Sequence, residues 1–341
     1  MDGSIALILL QDGIINGAIY ALLALCLVLV FATTRVILIP QGEFVSFAAL
    51  TYALLDTGRV PASLYLLGGM GAAAFLRSAW GLRGRALLGL ALETLVLPAV
   101  ITLLAIWLAP LRLGIAVQAM LALAITAPLA PYLYRLAFQP LGEASVLVLL
   151  IAAVGAHLAL SGVGLLVFGP EGARGTALSE TVLHLGNLAI SGQSLWILGF
   201  AVVLMVALFV FFEFTLMGAA LRATAVNRLG ARLVGIRTSQ SGLIAFTLAG
   251  LIGALSGVLI APLTTVYNDG GFLIGLKGFV AAIVGGLASY PLAVAAALVV
   301  GVVESFTSFS ASAWKEVIVF ALIVPVLLWR SWRHTVTEDE E

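Results

Sequence analysis

The chain has 341 residues, 62% of them hydrophobic and only 9% charged, and its 16 basic and 16 acidic side chains cancel. Soluble domains carry about 25% charged residues, so the soluble-globular and disordered classes are excluded, and balanced charge gives no reason to expect a nucleic-acid partner. Unbroken apolar runs, such as that from Ile14 to Ala32, exclude an outer-membrane barrel and leave an all-α, polytopic helical membrane protein.

About 20 helical residues cross a ~30 Å hydrocarbon layer. On that rule the sequence predicts spans near 6–32, 41–56, 60–77, 86–109, 114–136, 145–168, 194–213 and 242–265, then the stretch 275–306 and a last span near 315–330. No basic residue precedes Arg35, so the first segment is expected to remain as a span and not to be cleaved as a signal peptide. Cys26 lies inside it as the sole cysteine, a packing residue that leaves no disulfide or cysteine metal site. The second span opens on Pro40-Gln41-Gly42-Glu43, which suggests a broken or late-starting helix. The 275–306 stretch is too long for one crossing and is interrupted by Ser289-Tyr290-Pro291. It reads as two short crossings with a tight turn at the proline, giving about eleven segments (nine to eleven) in a single transmembrane domain. Gly68-Gly69-Met70-Gly71 and Gly253-x-x-x-Gly257 predict close helix contacts. No internal repeat stands out.

Basic residues orient the chain. Arg35, then Arg77, Arg83 and Arg85, then Arg135, then Arg222, Arg228, Arg232 and Arg237, then Arg330 and Arg333 fall on one side. The other side's loops hold Arg59, Arg112 and Arg174, with Lys277 and Lys315 near its edge. The arginine-rich side is therefore expected to be cytoplasmic, with the N-terminus outside and the C-terminus inside. Trp329 and Trp332 suit the inner boundary, and the acidic residues 338–341 within the tail 334–341 suit solvent.

The longest cytoplasmic connection, 214–240, carries Leu221, Ala225, Leu229 and Leu233 at four-residue spacing, with Arg222, Arg228 and Arg232 off that stripe. It predicts one short cationic amphipathic helix, begun near Thr215 and closed near Gly235. Such a helix rests on anionic lipid headgroups or docks into a partner's groove, and periodicity alone does not choose.

The same segment carries a resemblance. Gly218-x-x-Leu221-Arg222-Ala223-Thr224 followed by Ala231-x-Leu233-x-Gly235-Ile236 resembles the cytoplasmic loop of branched-chain amino acid ABC-importer permeases, H-type subunit. The likeness continues through Gly275-Leu276-Lys277-Gly278-Phe279, Ala281-Ala282-x-Val284-Gly285-Gly286-Leu287-Ala288-Ser289, Gly301-x-x-Glu304-Ser305 and Ser312-Ala313-Trp314-Lys315-Glu316. Upstream it takes in Gly17-x-x-Tyr20-Ala21-Leu22, Gln41-Gly42-Glu43 and the loop Arg135-Leu-Ala-Phe-Gln-Pro140-Leu141. It covers roughly 5–56 and 114–333, and the stretch 57–113 reads as an inserted pair of spans that leaves downstream topology unchanged. The family's second span begins with a pattern like Asn-Phe-Ala-His-Gly-Glu, which differs from Leu38-Ile-Pro40-Gln41-Gly42-Glu43 here.

The resemblance implies a permease subunit of a bacterial inner-membrane importer for branched-chain or related amino acids, in a family whose relatives also carry urea or short amides. It implies a second homologous permease or a second copy, two cytoplasmic ATP-binding subunits, an external solute-binding protein, and no stable cofactor, the nucleotide sitting on the partner. ATPase coupling would fall to Gly218, Leu221, Arg222, Ala225, Arg228, Leu229, Arg232 and Gly235, and Gly285 and Gly286 would line the substrate path with the first two spans.

Polar residues inside spans are the other candidates. Glu43 is either a cavity-facing carboxylate or an interfacial cap on a helix N-terminus, next to Gln41 and Gly42. His157 makes a helix–helix hydrogen bond or serves the path. Asn16 and Tyr20 share a helix face. Glu93 is expected to snorkel toward Arg83 or Arg85, and Glu304 to pair with Lys315. His157, His184 and His334 fall in a span, an outer loop and the tail, so no metal site is expected. No catalytic constellation and no phosphate-binding Gly-x-x-x-x-Gly-Lys loop occurs. The rival classes are an ion-coupled secondary transporter working through Glu43, Glu93 or His157, and a non-transporting scaffold.

Overall fold

The computed structural model describes residues 3–80, 83–185, 188–287 and 289–333. The acidic tail and His334 lie outside the described residues, as do the side chains of Arg330, Trp332 and Arg333. In chain order the first elements are α1 (Gly3–Thr34), α2 (Gln41–Asp56), α3 (Ser63–Ser78), α4 (Arg85–Leu111), α5 (Ile115–Leu141) and α6 (Val146–Phe168). An antiparallel hairpin of β1 (Val182–Leu185) and β2 (Leu188–Ser191) follows, then α7 (Gly192–Phe214), α8 (Leu216–Val226) and α9 (Arg228–Leu233). The last are α10 (Thr238–Ile260), α11 (Gly270–Val284), α12 (Tyr290–Ser310) and α13 (Ser312–Trp329). Eight of these are long and apolar enough to cross a membrane. With the shorter α2, α3 and α11, the described residues hold the eleven expected segments of an all-α polytopic membrane protein.

The centre of the bundle is α1, buried without interruption from Gly17 to Val30. A helix apolar on every side belongs in an interior. Its most extensive partner is α12, reached because Gly13, Gly17 and Gly301 let the two backbones touch. Gly253 and Gly257 likewise seat α10 against Gln41, Phe44 and Val45 of α2. Of the other predicted glycine cluster, Gly68 and Gly69 meet nothing. Gly71 alone makes a close contact, with the Thr94 carbonyl. Pro98, lacking an N–H, leaves that carbonyl without its usual helical donor, and the backbone widens into a π turn at Leu92–Val96.

Two span breaks decide where polar residues end up. Arg35 takes a left-handed φ of 61°, and the chain then returns into the bundle as non-helical backbone with Val36 and Leu38 fully buried. Consequently α2 starts deep in the protein, as the Pro40-Gln41-Gly42 signal predicts. The second break lies between α11 and α12. Gly286 (φ 87°) donates to Ile283 O and Leu287 to Ala282 O, a helix-ending motif that favours glycine in the left-handed position. Pro291 sits in the first turn of α12, where proline is tolerated. The turn is thus made by Gly286 and Leu287, while the expected proline turn is the start of the next helix.

Two other expectations are corrected, and one element stands outside all of them. The β1–β2 hairpin was not anticipated. The segment 214–240 is two helices, because Asn227 leaves helical geometry (φ −150°, ψ 103°) and its side chain accepts from Gly230 N to cap α9. Glu93 does not reach for Arg83 or Arg85. It meets Arg135 of α5 at 2.6 Å, each residue lying in a π turn.

Candidate functional site

At the end of the bundle opposite the arginine-rich loops, a cavity of about 420 Å³ opens between α1, α11, α12 and the 261–269 connection. Its wall carries Asn16, Tyr20, Thr264, Tyr267, Lys277 and Glu304. Asn16 and Tyr20 stand one turn apart on α1 and face the same space, as their spacing predicts. Lys277 and Glu304 are only 6% and 7% exposed, and Lys277 Nζ donates to Glu304 Oε1 at 2.5 Å. Tyr20 Oη donates to the other Glu304 oxygen at 2.5 Å, and the ammonium lies 5.9 Å from the Tyr20 ring centroid. Glu316 adds a second carboxylate 3.2 Å from Lys277. The expected Glu304–Lys315 pair is therefore replaced by Glu304–Lys277, and Lys315 meets Glu316 at 3.9 Å. Lys277 wins because α11 and α12 run side by side, whereas Lys315 lies past the end of α12.

A second polar pair lies near the middle of the helices. Glu43 is 2% exposed, and its Oε1 sits 2.5 Å from His157 Nδ1. The imidazole stacks on Phe272 with centroids 4.4 Å apart. Glu43 occupies the first turn of α2, where the helix dipole favours an acid, but it is buried and not interfacial. Its second oxygen finds no hydrogen-bond partner among the described residues. Beside it Gln41 donates to Ala249 O at 3.4 Å. Gly42 packs on the backbone of Gly271 and Gly275, with no room for a Cβ. Thus α11 packs over the start of α2, and Gln41, Gly42, Glu43 and His157 are not part of the cavity wall.

Gly285 and Gly286 stand elsewhere. Gly285 packs against Ala293 of α12 and Gly286 ends α11, so both serve the turn and neither lines the cavity.

The arginine-rich end carries the remaining candidates. Thr215 caps α8 by accepting from Gly218 N at 3.0 Å, and Gly218 lies on the backbone of Phe211 and Phe212. Leu221 is buried in the bundle, and Thr224 meets Ser241 of α10 at 3.2 Å. After the Asn227 break the stripe separates. Ala225 is half-buried, while Leu229 and Leu233 are 69% and 81% exposed, and Val226 and Val234 are exposed beside them. The arginines are bracing elements. Arg222 pairs with Glu213 of α7, Arg228 donates to Gly142 O at 3.0 Å, and Arg232 donates to Glu143 at 2.7 Å. That hydrogen bond, with the guanidinium's charge, holds the Glu143 carboxyl below the ordinary carboxylate range. Gly235 (φ 88°) closes α9. The result is an apolar knob tied to α7, α10 and the loop after α5.

Sequence reasoning missed Lys277 and Glu304 as cavity residues. Their one signal was that charges inside apolar runs face cavities or partners. Among the described residues, no cluster of three or more His, Cys, Asp or Glu side chains could hold a metal ion.

A family model described as "branched-chain amino acid transport system / permease component" matches residues 9–327. Among curated proteins, the chain is 33% identical over 206 residues to the high-affinity branched-chain amino acid transport system permease protein LivH of Escherichia coli K12. It is 32% identical over 208 residues to LivH of Salmonella typhimurium LT2. Each alignment covers 57% of this chain and 65% of the relative. The corresponding permease protein BraD of Pseudomonas aeruginosa is 31% identical over 203 residues, covering 58% of this chain and 66% of its own length. The chain thus spans slightly under two thirds of these relatives. No solved structure matches.

Proposed function

The chain belongs to the branched-chain amino acid transport permease family, and from that premise we propose that it is the membrane passage of an ATP-binding-cassette importer. On this reading an external solute-binding protein delivers branched-chain or related amino acids to the hairpin end. Two cytoplasmic ATPase subunits act at the arginine-rich end, a second permease completes the pathway, and the assembly sits in a bacterial inner membrane. The nucleotide belongs to the ATPases, so this chain needs no cofactor and performs no hydrolysis.

The observation that carries the reading is the uncovered apolar knob of α8 and α9, with Leu229 and Leu233 exposed on helices braced to the bundle. A surface helix that merely floated on headgroups would keep its arginines free for lipid phosphate. Here Arg222, Arg228 and Arg232 are engaged with the chain itself, which stiffens the knob as a lever. A groove on the ATPase would take the leucines, and motion would pass through Gly218 to α7 and through Thr224 to α10.

Replacing Leu229 and Leu233 together by Ser tests this without disturbing the core, since both side chains are exposed. The expected result is normal insertion, weakened co-purification of the ATPase and uptake lowered about tenfold or more, the scale of two lost apolar anchors. Unchanged uptake with full ATPase retention would remove the knob from the coupling path.

A further inference from the structure

The cavity at the hairpin end has a charge pattern that packing does not require. Gly13, Gly17 and Gly301 already lock α1 to α12. A buried ion pair is costly to place in an apolar bundle, and as a fastening it often does no better than hydrophobic residues of similar size. Yet Lys277 and Glu304 are both buried, and both line the cavity. Glu316 stands behind Lys277 with one oxygen that has no hydrogen-bond partner among the described residues. Tyr20 and Asn16 add neutral polar groups on the same wall. Thr264, Thr265 and Tyr267 face it from the 261–269 connection, and Ile19, Leu263, Leu273 and Ile274 give it an aliphatic side. The space therefore offers a cation, an anion and an aliphatic surface together, in a volume at the small end of ligand pockets.

We propose that this cavity is a zwitterion subsite. It takes an α-amino acid with its carboxylate on Lys277, its ammonium on Glu304 and its side chain against Ile19, Leu273 and Ile274. With the cavity empty, Lys277 and Glu304 neutralise each other, so no lone charge is left buried. On binding, the zwitterion inserts and exchanges one internal pair for two. A solute with only a carboxylate leaves Glu304 to Tyr20 alone, and one with only an ammonium leaves Lys277 to Glu316 alone, so each breaks the Lys277–Glu304 pair for a single new one, and this gives the discrimination. The inference rests on the transport reading and assigns the residues that hold the solute.

The sole cysteine, Cys26, is fully buried, so Asn16→Cys introduces a single accessible thiol on the cavity wall. In membranes carrying the full chain with its ATPase partners, a membrane-impermeant methanethiosulfonate reagent should label it from the hairpin side. L-leucine should slow labelling about tenfold or more, the scale of a pair of charge-assisted hydrogen bonds. 4-Methylpentanoate and 3-methylbutylamine, which each lack one charge, should not. Adding Lys277→Gln or Glu304→Gln should abolish protection while leaving the labelling itself. Tyr20→Phe, the mildest change, should weaken protection several-fold if the larger substitutions prevent folding. Failure to label, labelling that leucine does not slow, or protection that survives both Gln variants would overturn the proposal. ATP-driven uptake measured on the same membranes separates the two claims: uptake without protection sinks the subsite, and protection without uptake sinks the importer.

Discussion

A carboxylate buried among apolar helices is held by its partner or it is not tolerated. Glu43 illustrates the point, because His157 on α6 holds one oxygen at 2.5 Å while the other has no partner among the described residues. His157→Leu would leave both oxygens unsatisfied. The expected cost is about 3 kcal/mol or more, the range for breaking a buried pair, seen as a lower denaturation temperature in detergent. Adding Glu43→Gln should recover much of that loss, because the amide carries no charge to strand. Equal destabilisation of the single and double variants would mean that the two side chains are not coupled. The sequence singled out both residues as polar groups inside spans but could not join them, since 114 positions separate them. For the same reason Glu304 was assigned to the sequence-near Lys315, and its true partner on α11 was missed.

Among the elements, α2 is the most consequential, because it begins inside the bundle. Gly42 lies on the Gly271 carbonyl with no room for a side chain, so Gly42→Ala forces α11 away from α2. The expected penalty is about 1–3 kcal/mol from overpacking, with loss of uptake. Gly155 on α6 has nothing within 4 Å of where a Cβ would stand, so Gly155→Ala should be neutral or slightly stabilising, since alanine is the better helix former. Thermal unfolding of the two variants checks the contrast, and a Gly42→Ala chain as stable as Gly155→Ala would remove the close contact from the account. Element legibility followed the same physics. Long apolar helices were readable because lipid imposes length and composition, and the late start of α2 showed in Pro40 and Gly42. The Asn227 break was hidden, because the leucine spacing of 221–233 runs through it unchanged and only the cap chemistry of Asn227 distinguishes two helices from one. The hairpin had a cue in Gly186-Asn187, a two-residue turn dipeptide between Leu185 and Leu188, but its strands are only four residues each.

At the scale of the whole molecule, a polar cavity lies at one end and a braced apolar knob at the other. That layout suits a passage filled at one end and driven at the other by partners outside the chain. The class was legible in the sequence through the resemblance, and the arginines marked the end that carries the knob. The cavity was not legible, because it is made by three stretches far apart in sequence, α1, the 261–269 connection with α11, and α12. On the importer reading, ATP hydrolysis on partner subunits moves the solute through this chain. Sealed vesicles holding the chain, its ATPase partners and the solute-binding protein test it most directly, with labelled L-leucine offered at the hairpin face. Uptake should require ATP on the arginine-rich side and persist when ionophores collapse the proton and sodium gradients. Uptake by this chain alone, driven by either gradient and indifferent to ATP, would contradict it.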